Sequence, residues 1–248
     1  MEKPKPVPSP QIDGSAVART DLMRFRRRFA RLLLNYQFGM DEILTKINIL
    51  KAEFEHLHDY SPIEHVAARL KTAESTLAKA RRRQGTVSMA SLREITDIAG
   101  IRIVCSFITD VYWIAEMLTQ QADVTVVEIK DYIKNPKPNG YKSLHLILKV
   151  PVFLSSSVEE VTVEVQVRTV AMDFWASLEH KIYYKYDKAV PDALLAELAN
   201  AAEVANHLDL TMERLHTEVR GTRPEQPVAE TDDDALHDVL IEQFLSAD

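Results

Sequence analysis

Apolar residues recur every three or four positions from Leu22 onward, at Phe25, Phe29, Leu32, Leu33 and Tyr36. That spacing predicts an amphipathic helix, or a pair of helices, over residues 21–57. Ser61 and Pro62 then offer an N-cap and a proline for a first helical position, which predicts a helix running to about Gly85. The period shortens at "AGIRIVCSF" (99–107), a β-branched run that reads as a strand, and Asp110 opens a predicted helix over "DVYWIAEMLTQQ" (110–121). Three more strands are predicted at 123–129, 143–150 and 161–167. Helical patterns return over 168–186, where Phe174 and Trp175 are assigned to the core, and over 190–220. Helices flanking four or five strands make the predicted class α+β (mixed α/β).

Prolines at 4, 6, 8 and 10 mark residues 1–20 as a disordered lead. A second linker, "GTRPEQPVAETDDD" (221–234), precedes "ALHDVLIEQFLS", a short amphipathic helix by its pattern. A hydrophobic content of 46% and only six glycines fit one large domain with helical appendages. The net charge of −7 excludes polyanion binding by the chain as a whole, so an anion site requires a local basic patch. No apolar run reaches membrane-spanning length and the start lacks the apolar stretch of a signal peptide, so a cytoplasmic protein without membrane attachment is expected. The lone cysteine, Cys105, lies among strand formers and reads as a buried, inert thiol.

Four constellations bear on chemistry. On the predicted 62–84 helix, Arg69, Lys71, Ser75, Lys79, Arg82 and Arg83 stand with one acid, Glu74; Ser75, Lys79 and Arg82 share a face. This is either a solvated basic face or a set of phosphate donors. Asp97 precedes the strand that carries Arg102, as a Mg²⁺-binding carboxylate at a strand edge or as a turn former paired with Arg102. In "TVEVQVRT", Glu164 and Gln166 share one strand face, lining a cleft or facing solvent, and "AMDFWASLEH" adds Asp173, Glu179 and His180. In "NPKPNGYKSLHLILKV", a turn bearing Lys137 and Lys142 leads through Tyr141 into a strand with His145. Tyr141 can offer its ring to a base, a stacking contact of about 1–3 kcal/mol, or pack on the sheet edge.

Together and in this order, "RLKTAESTLAKARRR", "ITDIAGIRIVCSF", "DYIKNPKPNGYKSLH" and "VEVQVRTVAMDFWASLEHKIYYKY" resemble the synthetase domain of the RelA/SpoT family, and more closely its small alarmone synthetases. The resemblance covers about residues 61–187, between an N-terminal helical extension (21–60) and a C-terminal helix (188–220) followed by an acidic tail (221–248). It implies a mixed sheet of about five strands related to nucleotidyltransferases. It also implies a Mg²⁺-dependent enzyme that moves the β,γ-diphosphate of ATP to the 3′-hydroxyl of GDP or GTP.

Carried onto this sequence, the resemblance puts Arg69 and Arg102 around adenine, and Lys71, Ser75, Lys79 and Arg82 on a helix holding the ATP phosphates. Asp97 becomes a metal ligand. Glu164 becomes the catalytic carboxylate, which also touches the metal. Tyr141 stacks on guanine, Asp173 meets its edge, and Lys137, Lys142, His145 and Gln166 contact the acceptor or phosphates. A homotetramer built through residues 21–57 and 190–220 is implied, with single-stranded RNA or (p)ppGpp as candidate regulators. Ala68 and Lys130 depart from residues common in relatives. The His-Asp pairs in "HLHDY" and "LHDVL" lack the surrounding helical domain of the family's hydrolases, and no hydrolase is expected. The reading that competes with the enzyme is a catalytically weak paralogue that binds nucleotide or RNA as a regulator.

Overall fold

The computed structural model describes residues 14–58, 60–186 and 190–220. Eleven elements follow in order among them: α1 (Gly14–Leu57), β1 (Ile63–Leu70), α2 (Ala73–Gln84), α3 (Met89–Arg93), β2 (Ala99–Cys105), α4 (Ile108–Thr119), β3 (Thr125–Asp131), β4 (Leu144–Phe153), β5 (Val158–Thr169), α5 (Val170–Lys185) and α6 (Asp192–Arg220). Met1–Leu210 form one compact unit; of the second, Thr211–Asp248, the described part is the end of α6. Among the described residues no helix is long and apolar enough to cross a membrane. The predicted linker and short helix beyond residue 220 lie outside the described residues.

The five strands form one mixed sheet in the order β1-β2-β5-β4-β3. The β2–β5 pair is parallel and the other three pairs are antiparallel. Period-two alternation sorts the central strands cleanly. Ile101, Ile103, Val163, Val165, Val167, Leu144, Leu146 and Leu148 are buried on one face, against α1 and α4. The face that carries Gly100, Arg102, Glu164 and Gln166 is left for chemistry.

The N-terminal pattern yields one continuous helix, which begins at Gly14, so residues 14–20 belong to it rather than to a disordered lead. Its buried stripe runs through Phe29, Leu32, Tyr36, Met40, Ile43, Ile47 and Phe54. Leu22 and Met23 lie outside that stripe and are exposed. At Gly39 the helix comes so close to β5 that a β-carbon would overlap Val161.

The helix expected from Pro62 does not form. Residues 63–70 are edge strand β1, bonded antiparallel to β2, and the following helix starts only at Ala73. Its N-cap is Thr72, whose Oγ1 accepts from Ser75 N at 3.2 Å. "IEHVAARL" contains good helix formers, but β2 would be left with an unpaired edge without it, and that tertiary demand overrides local propensity. The other predicted strands are present with shifted ends, and α4 starts two residues before Asp110, which accepts from Phe107 N at 3.1 Å. Trp175 is buried as expected, whereas Phe174 is exposed. Cys105 is fully buried, and burial pushes its thiol well above the usual range.

Candidate active site

Sheet register assembles the site. Directly paired residues share a face, so one row across the open face reads Arg69, Gly100, Glu164. The next reads Ala67, Arg102, Gln166, His145, Lys130. Gly100 leaves the floor open between Arg69 and Glu164: the nearest atom to a β-carbon there would be Arg69 O at 3.8 Å.

One side of this floor is basic. Lys71 is not on a helix but in the β1–α2 turn, where its backbone N donates to Ile98 O at 2.8 Å and draws the turn against the residues before β2. Lys71 Nζ and Lys79 Nζ, the latter in the second turn of α2, both donate to Asp97 Oδ2, at 2.7 and 2.5 Å. Burial works against an ionised Asp97, but these two ammonium groups outweigh it and hold the carboxyl below its ordinary range. Asp97 Oδ1 is buried and has no hydrogen-bond partner among the described residues. Ser75, beside the Thr72 cap, and Arg82, in the last turn of α2, are exposed on the same helix. Asp97 therefore pairs with lysines and not with Arg102, whose NH1 lies 3.2 Å from Asp173 Oδ1.

The other side is built around Glu164, which is four-fifths buried. His145 Nδ1 lies 3.4 Å from Glu164 Oε1, and Gln166 Nε2 donates to Oε2 at 3.0 Å. Burial raises the Glu164 carboxyl, but the bonds from His145 and Gln166 outweigh it and leave the group below its ordinary range; Asp97 pushes back upward. The two carboxylates thus feel one another across the floor.

The loop between β3 and β4 supplies an aromatic cluster. Tyr141 Oη is 2.8 Å from His145 Nε2, and Tyr132 meets both rings edge-on at 6.0 and 5.1 Å. Lys137 Nζ sits over both tyrosines, 4.7 Å from the centroid of Tyr132 and 4.5 Å from that of Tyr141. Tyr141 is half-buried rather than exposed, and burial raises its hydroxyl. Lys142 donates to Asn206 on α6, while Asn139 donates to Glu179 on α5 at 3.0 Å. Asp173, in the first turn of α5, is held by Arg102 and Arg168.

Two participants escaped the sequence reading, Arg168 and Tyr132. Arg168 was open to discovery: it continues the alternation Glu164, Gln166 by one step on the same strand face.

Convergent lysines, paired carboxylates and a cation-lined tyrosine on the open face of a mixed sheet define a nucleotide-handling, phosphate-transfer class of site. A region found in RelA/SpoT proteins matches residues 68–189. The chain is 46% identical over 209 residues to the GTP pyrophosphokinase YwaC of Bacillus subtilis, covering 84% of this chain and all of that protein. It superposes on small alarmone synthetase 2 of B. subtilis with a TM-score of 0.69 at 48% identity, over 75% of this chain and 96% of the other. For small alarmone synthetase 1 of the same organism, solved with its product pppGpp, the TM-score is 0.73 at 38% identity, over 78% and 98%. The chain belongs to the RelA/SpoT family.

Proposed function

We propose that this protein is a (p)ppGpp synthetase, transferring the β,γ-diphosphate of ATP to the 3′-hydroxyl of GDP or GTP and releasing AMP. The observation that carries this reading is Asp97, in the turn before β2 with its orphaned Oδ1 and two converging lysines, beside Glu164 on the strand that pairs with β2. Relatives that share the fold and sequence are named GTP pyrophosphokinases, and one is solved with pppGpp.

In this reading Lys71, Ser75, Lys79 and Arg82 bind the ATP phosphates at and along α2, where the helix N-terminus adds its own positive end. Arg69 and Arg102, from neighbouring strands, hold the adenine between their guanidinium planes. Tyr141 is the stacking platform for guanine. Asp173 faces the base edge, and Lys137, Lys142, His145 and Gln166 complete the acceptor side. The acceptor O3′ attacks the β-phosphorus, the bond from that phosphorus to the oxygen bridging the α-phosphate breaks, and AMP departs with that oxygen. The proton of the 3′-hydroxyl passes to Glu164. The remaining demand is positioning and charge neutralisation, for which the cations around Asp97 are suited.

A divalent cation fits the site. Asp97 Oδ1 is a buried oxygen in need of a partner, and Glu164 supplies a second hard ligand, a donor set suited to Mg²⁺ with substrate phosphates. When bound, Mg²⁺ supplies neutralisation of phosphate charge. Exposed Leu34 and Ile49 on α1, and exposed Val204 and Leu208 on α6, support self-association into the homotetramer that the family resemblance builds through residues 21–57 and 190–220. A cytoplasmic location fits a reaction that draws on ATP and GTP.

The test is incubation of the purified protein with Mg²⁺, ATP and either GDP or GTP, followed by anion-exchange separation. Guanosine tetra- or pentaphosphate with an equal amount of AMP is expected. Nucleotide binding without AMP would replace the enzyme with a binding regulator.

A further inference from the structure

Arg168 is 7% exposed, and the chemistry above makes no use of it. Its guanidinium makes four hydrogen bonds. Nε donates to Ser143 Oγ at 3.2 Å, NH1 to Asp173 Oδ1 at 3.2 Å, and NH2 to both Tyr141 Oη and Gln166 Oε1 at 2.6 Å. The same cation lies 5.1 Å from the Tyr141 ring centroid. One buried side chain thus grips the acceptor loop, the catalytic strand and the first turn of α5.

These contacts close a ring. From Arg168 it runs through Gln166 to Glu164, on through His145 to Tyr141, and back to Arg168. Arginine can only donate, and that orients the amide of Gln166. Gln166 must present its oxygen to Arg168, so its NH₂ faces Glu164. Tyr141 accepts from Arg168 and is held 2.8 Å from His145 Nε2, while His145 Nδ1 faces Glu164 at 3.4 Å. Both neighbours of Glu164 are thus tied to a guanidinium that never touches it.

We propose that Arg168 is the positioning residue of the acceptor half-site, holding the Tyr141 ring and the two hydrogen bonds received by Glu164 in one fixed frame. This rests on the assignment of Tyr141 and Glu164 to the acceptor side. Of the donor side, Lys71, Lys79 and Ser75 have no hydrogen bond to Arg168, and Arg102 meets it only through the shared Asp173 Oδ1, so the larger effect of its loss falls on the guanine nucleotide. An arginine that merely stabilised the fold would affect both substrates alike.

The experiment compares wild type, Arg168→Lys, Tyr141→Phe and the double variant. Lysine keeps the charge but cannot span four acceptors in a plane. For Arg168→Lys, KM for the guanine nucleotide rises and kcat falls, each by about 10–100-fold, as for a reacting group displaced by about an ångström. KM for ATP stays within about twofold. Tyr141→Phe removes only the hydroxyl oxygen that Arg168 holds and raises acceptor KM with ATP unaffected. The double variant loses less than the product of the single losses, because the two side chains act through one bond.

Calorimetric titration with GDP and with a non-hydrolysable ATP analogue reads the same asymmetry without turnover. If wild type made no AMP, the synthetase reading would fail while this binding comparison still stood. Equal loss of both nucleotides, loss of neither, or multiplicative single effects would overturn the proposal. Should Arg168→Lys fail to fold, Tyr141→Phe decides it: unchanged GDP affinity and acceptor KM in that variant overturn it.

Discussion

Lys79 Nζ sits 2.5 Å from Asp97 Oδ2, the same oxygen that Lys71 reaches, while Asp97 Oδ1 is buried with no partner among the described residues. Two cations on one oxygen and none on the other leave a carboxylate with room for a further cation beside the basic residues of α2. Asp97→Asn keeps the shape and removes the charge. Turnover should fall by about 10²–10³-fold, the several kcal/mol a metal supplies to a phosphoryl-type transition state. In wild type, EDTA should abolish AMP release and excess Mg²⁺ restore it. A Mg²⁺ titration of both proteins checks this, and a variant that recovers full turnover at saturating Mg²⁺ would remove Asp97 from the metal site.

Glu164→Gln should lower turnover by about 10²–10⁴-fold, the usual worth of a positioned proton acceptor, with nucleotide affinities little changed. The same substitution has a signature in stability. The carboxyls of Asp97 and Glu164 are held below their ordinary values of 3.8 and 4.5 by Lys71 and Lys79 and by His145 and Gln166. A depressed carboxyl binds its proton more readily in the unfolded chain, so its stabilising contribution is complete above the ordinary value. It is lost as pH falls through the lower, folded value. Urea midpoints of wild type should therefore drop below about pH 4.5, and those of Glu164→Gln should drop less steeply. Parallel acid limbs would mean that Glu164 is not held ionised by the fold.

Legibility in the sequence followed burial. Strands β2, β4 and β5 announced themselves because β-branched and aliphatic residues alternate against a wall of helix, and the same alternation placed Glu164, Gln166 and His145 on the opposite face. Strand β1 did not, because an edge strand half-open to solvent carries alanines and an arginine in place of an alternating pattern. That one error put Arg69 and Lys71 on a helix. The pairing of Asp97 with Lys71 and Lys79 was out of reach, since it depends on the Lys71–Ile98 backbone bond that closes the turn. The aromatic cluster was half legible: Tyr141 stood at a strand entrance, but Tyr132 joins it only through the β3–β4 register.

At Gly39 the close approach of α1 to β5 opposes local propensity. Alanine would favour the helix by about 1 kcal/mol. Its β-carbon would overlap Val161, a buried residue whose branched side chain has little rotamer freedom to yield. Overpacking of this kind costs about 1–3 kcal/mol, so after the gain in helix propensity the net expectation for Gly39→Ala is a loss of up to about 2 kcal/mol. Chemical denaturation measures it, and a gain in stability would show that α1 can lift from the sheet at no cost.

Gly140 couples the β3–β4 loop to α6. It has φ +86°, a conformation that disfavours any side chain, and a β-carbon there would overlap Ala202. Lys142–Asn206 fastens the same loop to the same helix. Gly140→Ala faces about 1–3 kcal/mol of backbone strain and a collision as well, and the loop can relieve both only by moving Tyr141. Acceptor KM should rise by about tenfold or more while KM for ATP stays put, because none of the donor-side contacts runs through this loop. Adding Ala202→Gly removes the collision but not the strained φ, so rescue should be partial. Full rescue would assign the whole effect to the α6 contact, and no rescue would assign it to the backbone. An unchanged acceptor KM in Gly140→Ala itself would show that Tyr141 keeps its place without the strap.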